Sequence, residues 1–241
     1  ASWPKRVADL YNECPTAVLC VPIGILAILL RFHALGASEL NDLEARQAMT
    51  ALRLALGRGT IGASLPASAV LHTLQAMTFW MTGTANQYLV RFWPALAGSA
   101  AVFAPLLFRG QIDRGVLLLA SFLLTLSPAM LAASRVGDAT MLTLLCLMGI
   151  VLGLQLFWSD DRVEGLYLSG VALGAGLASG SRILSALVIA VACMMMHTPQ
   201  RRRLFWLRVW PASKVLAVSA VGSFLVCATA GLRYKLGLSA V

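Results

Sequence analysis

The sequence predicts an all-α membrane protein, a polytopic bundle of about seven transmembrane helices with interfacial helices in a long first outer loop. Of its 241 residues, 59% are hydrophobic and 12% are charged, whereas a soluble globular protein has about 25% charged residues. The apolar residues form long runs separated by short polar breaks, and about 20 apolar residues in a helix cover the hydrocarbon core of a bilayer. A bilayer is therefore the expected solvent of this chain.

The charge balance and the cysteines exclude several classes of function. The net charge is +9, but the basic residues lie mostly between apolar runs, where they indicate topology and contact with anionic lipid headgroups. We expect the lipid bilayer as a partner and no nucleic acid, because the chain has no basic soluble module with interleaved aromatic residues. The five cysteines form no Cys-x-x-Cys pair, so they indicate neither a metal site nor a disulfide framework.

The first predicted elements are a span and a long outer loop. An apolar run over 15–35 is long enough to be the first span. The loop over 36–90 opens with carboxylates, and its residues 42–57 have the periodicity of an amphipathic helix that lies at the interface. The glycine-rich stretch 57–62 is expected to end this helix.

The segment 66–82 decides the topology. It is about 17 residues long and dotted with polar side chains, so it forms either a short span or an interfacial helix. If it crosses, the basic pair Lys5 and Arg6 and the Arg201–Arg203 cluster fall on opposite sides of the membrane. If it does not cross, both fall on one side, which the positive-inside rule makes cytoplasmic. We predict the second arrangement, with a cytoplasmic N-terminus.

Six further spans are then expected within 91–230. They lie at 92–108, 116–133, 139–158, 166–178, 183–197 and 214–230. The glycine-rich run at 166–178 is short for a span and favours close helix packing. The chain 1–241 is thus predicted to be a single multi-pass domain of the cell membrane, plasma or inner.

Three polar elements share the outer face in this topology. They are the carboxylate-bearing loop 36–90, the turn Ser134–Asp138 and the turn Ser181–Arg182. Charges held at membrane level are costly and tend to mark functional sites. The outer face is therefore where a site is expected.

Four stretches in this order carry a resemblance to a known family. They are Leu40–Ala48, Leu89–Gly98, Leu126-Ser127-Pro128 followed by Ser134-Arg135 and Asp138, and Gly170–Ala178 followed by Arg182. The first is similar to an acidic Asp-Glu-Ala motif that opens the first outer loop, and the second to a Leu-Arg-Leu-Pro-x-Ala-Leu-x-Gly motif that opens a span. Together they resemble the membrane glycosyltransferases of the GT-C fold, in particular the dolichyl-phosphate-mannose protein mannosyltransferases and the aminoarabinose transferases.

The resemblance implies a fold and an activity. The family shares a seven-span module with surface helices in its first outer loop. The expected function is that of a glycosyltransferase-like protein that transfers a hexosyl or pentosyl group from a polyprenyl-phosphate-linked sugar on the extracytoplasmic side. The stretch Ala63–Ala67 lacks the family's His/Lys-Pro-Pro element, and family members are usually about twice as long as this chain. We therefore expect an N-terminal module or a shortened relative, with a non-catalytic subunit or scaffold of a larger membrane complex as the alternative.

Asp42 and Glu44 are the candidate catalytic residues, because glycosyl transfer needs a carboxylate that takes a proton from the acceptor. They are two positions apart, so on a helix they point about 200° apart and cannot both face one substrate. The structural alternative is that Asp42 is the N-cap of the following helix and that Glu44 lies in its first turn, where the helix dipole favours a negative charge.

Arg135, Asp138 and Arg182 are the candidate substrate-binding residues. Cations stabilise a leaving phosphate, so the arginines would contact the lipid phosphate and Asp138 a sugar or a metal. The alternatives are an N-cap at Asp138 with a local Arg135–Asp138 ion pair, and contact of Arg182 with lipid headgroups. No residue is assigned as a metal ligand, since the histidines lack partners at ligand spacing. The cofactor stays open, with a divalent cation as one candidate.

Overall fold

The computed structural model describes residues 16–57, 68–108, 112–160, 163–180, 182–185, 187–188 and 199–228. This part of the chain is mostly helical, which confirms the all-α prediction. The helices are α1 (Thr16–Phe32), α2 (Asp42–Ala55), α3 (Ala69–Thr82), α4 (Gln87–Ala101), α5 (Arg114–Leu126), α6 (Pro128–Arg135), α7 (Thr140–Asp160), α8 (Val163–Ser179) and α9 (Pro199–Ala228), with a 3₁₀ turn at Ala104–Phe108 after α4.

Two helical segments of the described chain are long and apolar enough to cross a membrane, Gln87–Phe108 and Thr140–Phe157. A third exists if α5 and α6, which meet at a bend of 54°, form one broken span. Within the described residues this count is lower than the seven spans that the sequence predicts. Hydropathy follows the apolar runs, but helix α8, which contains the run 166–178, has only 17 residues, and the apolar run 116–133 is divided between α5 and α6. Most of the predicted span 183–197 lies outside the described residues.

The outward faces of several helices are apolar. Val18, Val21, Ile25 and Leu29 form one stripe along α1, and each exposes about half of its surface or more. Val218 of α9 is 73% exposed. Soluble proteins rarely expose apolar patches of this extent. Together with the candidate spans, these faces indicate a membrane protein.

Helix α8 packs closely against α7 and α9 through glycines. A Cβ atom at Gly170 would overlap Ser219 of α9, and one at Gly174 would overlap the Ala220 carbonyl. A Cβ at Gly165 would overlap the Gly153 carbonyl of α7. Small residues allow the backbones of membrane helices to approach, which confirms the close packing predicted for the 166–178 run.

Within the disputed segment 66–82, residues Ala69–Thr82 form helix α3, which has 14 residues. At a rise of 1.5 Å per residue this is a length of roughly 21 Å, short of the ~30 Å hydrocarbon core. Its neighbour α2 ends close to the predicted boundary, with Gly57 at a φ of +67° beyond it. Ala51 of α2, Phe79 of α3 and Val90 of α4 are buried together. The two short helices therefore pack on the start of a candidate span.

At Pro94 and Pro128, each of which removes a backbone hydrogen bond, a side chain of another helix lies at the carbonyl left without a donor. Pro94 in α4 has no N–H to donate to the Val90 carbonyl, and Gln75 Nε2 of α3 donates to that oxygen at 2.8 Å. Pro128 opens α6 and likewise offers no N–H to the Leu124 carbonyl. Arg31 Nη2 of α1 lies 3.5 Å from that oxygen. Such compensation allows proline within helices that are shielded from water.

Candidate functional site

A buried ion pair joins the first turn of α2 to α4. Arg91 Nη2 lies 2.8 Å from Glu44 Oε2, and Arg91 Nε donates to Glu44 Oε1 at 3.2 Å. Both residues are only 5% exposed. A bidentate arginine–carboxylate pair fixes geometry as well as charge, so this contact sets how α2 lies against α4.

Arg91 also holds the loop that connects α1 to α2. Its Nη1 donates to the carbonyls of Leu35 at 3.3 Å and Ser38 at 3.0 Å and to the Ser38 hydroxyl at 2.6 Å. Its Nη2 donates to the Glu39 carbonyl at 2.9 Å. A guanidinium has five N–H donors, and here every nitrogen has an acceptor. The buried cation is thereby satisfied, and the loop is fixed to α4.

The Glu44 carboxylate is equally occupied. Besides Arg91, Oε2 accepts the backbone N–H of Asn41 at 3.0 Å, and Oε1 accepts that of Gly137. Burial raises the pKa of Glu44, but the hydrogen bonds from Arg91, Gly137 and Asn41 outweigh it and hold this pKa below its ordinary value. A carboxylate offers about four lone-pair sites, and four donors occupy them. We call Glu44, Arg91, Asn41 and Gly137 the Glu44 cluster.

Asp42 faces away from this cluster. As the angle of about 200° between the two side chains requires, Asp42 is exposed and Glu44 is buried. Asp42 makes no side-chain hydrogen bond or ion pair within the described part of the chain. The N-cap of α2 is Asn41 and Asp42 is its first helical residue, which corrects the cap expected at Asp42. Glu44 lies in the first turn as expected.

A second polar group forms at the start of α7. Arg182 Nη1 lies 2.6 Å from Asp138 Oδ2 and 2.6 Å from the Thr140 hydroxyl. Asp138 also accepts the Thr140 hydroxyl at 2.6 Å and the Ala139 backbone N–H at 2.7 Å. We call Asp138, Thr140 and Arg182 the Arg182 cluster. The structure thus brings together two of the three predicted substrate-binding residues.

The Arg182 cluster is open to its surroundings, unlike the Glu44 cluster. The Arg182 side chain is 58% exposed, and its Nε and Nη2 atoms have no partner among the described residues. Burial raises the pKa of Asp138, but hydrogen bonds from Thr140, Arg182 and Ala139 outweigh it, so this pKa is lowered. The ionised Asp138 therefore holds Arg182 through Nη1 and leaves Nε and Nη2 available to a ligand.

Arg135 has partners other than those expected. Its Nη2 donates to the carbonyls of Leu30 at 2.6 Å and His33 at 3.1 Å, at the end of α1. The last carbonyls of a helix lack intrahelical donors, and a cation there also complements the helix dipole. The expected local pair of Arg135 with Asp138 is absent from the described structure, because Asp138 pairs with Arg182 instead. Arg135 thus caps the C-terminal end of α1 by donating to its last carbonyls.

Sequence reasoning missed three polar residues that make buried or bridging contacts. Thr140 bridges Asp138 and Arg182, Arg91 holds Glu44, and Arg31 is fully buried within α1. Arg31 lies inside the apolar run 15–35 and Arg91 at the edge of another. A charge inside an apolar run is the signal that could have identified both arginines. Thr140 had no such signal.

The described side chains do not form a metal site. No group of three or more His, Cys, Asp or Glu side chains within the described ranges is arranged to hold an ion. The carboxylate oxygens of Asp138 already accept hydrogen bonds from Ala139, Thr140 and Arg182. A divalent cation prefers several oxygen ligands at one point, so the residues described do not fit the cation that the sequence left open.

Comparison of the chain with protein-family models, with curated proteins and with solved structures gave no match. The function must therefore be inferred from the chemistry of the two polar clusters. One is closed and fully hydrogen-bonded, and the other is open.

Proposed function

We propose that this chain is a multi-pass, glycosyltransferase-like protein of the cell membrane that binds a polyprenyl-phosphate-linked sugar through the Arg182 cluster on the extracytoplasmic side. The proposal includes the predicted topology with a cytoplasmic N-terminus. The observation that carries it is the exposed guanidinium of Arg182, with Nε and Nη2 free of described partners.

The chemistry of a lipid phosphate suits this guanidinium. Arginine recognises phosphate through two parallel N–H donors, and the pair is stronger than neutral hydrogen bonds. Because Asp138 and Thr140 hold Nη1 of Arg182, the N–H groups of Nε and Nη2 are oriented before the ligand binds. A ligand with a polyprenyl tail would keep its tail in lipid beside the apolar candidate span Thr140–Phe157.

The acceptor side of the reaction is assigned to Asp42. Asp42 lies in the first turn of α2, which the hydrogen bond from Gly137 to Glu44 joins to the turn that carries Asp138. The exposed Asp42 side chain points away from that contact, so the acceptor would approach from the exposed face of α2. The acceptor hydroxyl would attack the anomeric carbon, the bond from that carbon to the phosphate oxygen would break, and the acceptor proton would pass to Asp42. The polyprenyl phosphate would leave on Arg182. Glu44 would position α2, since its oxygens are already occupied.

The second candidate function is that of a non-catalytic membrane subunit. The saturation of Glu44 favours it, because only one of the two candidate bases is open to a substrate. Such a subunit would use the Glu44 cluster for its own folding and the Arg182 cluster for a lipid headgroup or a partner subunit.

The test is sugar transfer from a radiolabelled polyprenyl-phosphate sugar by the purified protein in lipid nanodiscs. Asp42→Asn should lower the transfer rate by roughly 100-fold or more, the usual contribution of a general base. Glu164→Gln is the matched control, since Glu164 is an exposed carboxylate in the first turn of α8. Full transfer by Asp42→Asn would exclude its role as the base. Phosphate-dependent binding without any transfer by the wild type would support the subunit instead.

A further inference from the structure

Helices α5 and α6 form a bent pair, and its second helix leads into the Arg182 cluster. The two helices meet at Ser127 and Pro128 with a bend of 54°. Proline restricts the residue before it and removes a helical hydrogen bond, so such a break is a natural pivot. Helix α6 is only eight residues long and ends at Arg135. A change in the bend would therefore move Asp138, which lies three residues later.

One arginine of α1 contacts the helix before the break. Arg31 is fully buried, and its Nη2 lies 3.5 Å from the Leu124 carbonyl that Pro128 leaves without a helical donor. Its Nη1 donates to its own helix at the Ala27 carbonyl, at 3.3 Å. No carboxylate lies within ion-pair distance among the described residues, and Nε has no acceptor. A buried cation without a carboxylate is costly. The position of Arg31 beside the proline break therefore suggests that it has a role at the break.

A second arginine reaches from the helix after the break to the same end of α1. Arg135, the last residue of α6, donates from Nη2 to the carbonyls of Leu30 and His33. The end of α1 thus contacts both arms of the bent pair, through Arg31 on one side and through Arg135 on the other.

The packing at Gly98 brings these groups together. A Cβ atom at Gly98 of α4 would lie 2.5 Å from the Ser134 Cβ atom and 3.3 Å from Arg31 Nε. Real Cβ atoms do not approach to the first of these distances. The missing side chain at Gly98 therefore lets α6 and Arg31 pack against α4 at the same point.

We propose that Arg31 and Arg135 are positioning residues that clamp the proline break from both sides and thereby hold Asp138 where Arg182 is oriented for phosphate. Arg135 then acts through the hinge and does not contact the ligand. What the positioned cluster binds rests on the proposed function, whereas the clamp is a property of the helices alone.

The hinge is tested by the distance distribution between spin labels at residues 116 and 132, both exposed, in a variant without the five native cysteines. Double electron–electron resonance should give one narrow distribution for the parent protein and broader ones for Arg135→Gln and Arg31→Met. Arg53→Gln, at an exposed arginine of α2, is the control and should leave the distribution unchanged. Unchanged distributions for both clamp variants would overturn the proposal.

Affinity for a short-chain polyprenyl phosphate separates positioning from direct contact. Each variant should weaken binding by roughly three- to tenfold, if the competent hinge state falls to about 10–30% of the population. The effects of the two should not add, because both act on one angle. If Arg135 contacted phosphate directly, its substitution would weaken binding while Arg31→Met left it intact, and the clamp would be refuted.

Should Arg31→Met fail to fold, the same substitution is made with Pro128→Ala, which restores the backbone N–H that Leu124 lacks. Folding in that background alone would support the link between Arg31 and the break, and failure in both would refute it. Broadened distributions in a protein that binds no phosphate would support the clamp and count against the proposed function.

Discussion

Replacing Arg91 with methionine should destabilise the protein more than any exposed arginine substitution. The variant leaves the Glu44 carboxylate, which is 5% exposed, without its guanidinium, and it removes the donor to the carbonyls of Leu35, Ser38 and Glu39. Removing one partner of a buried ion pair costs about 3–5 kcal/mol, because the other charge stays buried. The expected loss in the free energy of unfolding is therefore about 3–5 kcal/mol.

The assay is denaturant unfolding in detergent micelles, followed by far-ultraviolet circular dichroism. Arg53→Met is the control and should cost less than about 0.5 kcal/mol, as exposed substitutions do. The combined variant Glu44→Gln with Arg91→Met should cost less than the sum of the single variants, because the two side chains share one contact. A loss below about 1 kcal/mol for Arg91→Met, the value of a surface pair, would refute the description of this pair as buried and saturated.

The same pair predicts a pH dependence. The pKa of Glu44 is lowered from its ordinary value of 4.5. A carboxyl group whose pKa is lower in the folded state stabilises the fold above the unfolded pKa, and this contribution is lost as pH falls through the folded pKa. The pair should therefore contribute fully at neutral pH and progressively less below about pH 4.5. Glu44→Gln should lack this component of the acid transition, and an identical acid transition in both proteins would contradict the assignment.

Two further substitutions test the packing around the clusters. Gly137→Ala places a Cβ atom 3.1 Å from Glu44 Oε1 and 3.2 Å from Val90 Cγ1, and should cost about 1–3 kcal/mol as overpacking; a thermal unfolding curve that matches the wild type would contradict this. Gln75→Leu leaves the Val90 carbonyl without its donor and should cost about 1–3 kcal/mol. That cost should largely vanish with Pro94→Ala, and an equal cost in both backgrounds would show that Gln75 does not compensate the proline.

Local features of the fold could be predicted where the signal lies within a few residues. The periodicity of 42–57 predicted α2, and the helical angle between Asp42 and Glu44 predicted that the two carboxylates would not face one substrate. The N-cap was misplaced by one residue, because Asn41 and Asp42 are adjacent and both are good caps. Local sequence cannot decide between two such neighbours.

Long-range features could not be predicted in the same way. Glu44 and Arg91 are 47 positions apart, and no local sequence pattern predicts which buried carboxylate pairs with which arginine. Arg182 meets Asp138 across 44 positions, and only their predicted common face suggested it. The span count failed for another reason. Hydropathy measures composition over a window, whereas a span also needs a continuous helix, and the break at Pro128 interrupts an apolar run.

The most direct test of the proposed function is equilibrium binding of a short-chain polyprenyl phosphate and of the matching polyprenol, by isothermal titration calorimetry in micelles. We expect the wild type to bind the phosphate more tightly than the alcohol. Arg182→Gln should weaken the affinity for the phosphate by roughly 10- to 100-fold, which corresponds to the loss of a hydrogen bond to a charged group. The control Arg53→Gln should bind the phosphate as tightly as the wild type. Equal binding of phosphate and alcohol by the wild type, or unchanged phosphate binding by Arg182→Gln, would contradict the proposed role of the Arg182 cluster.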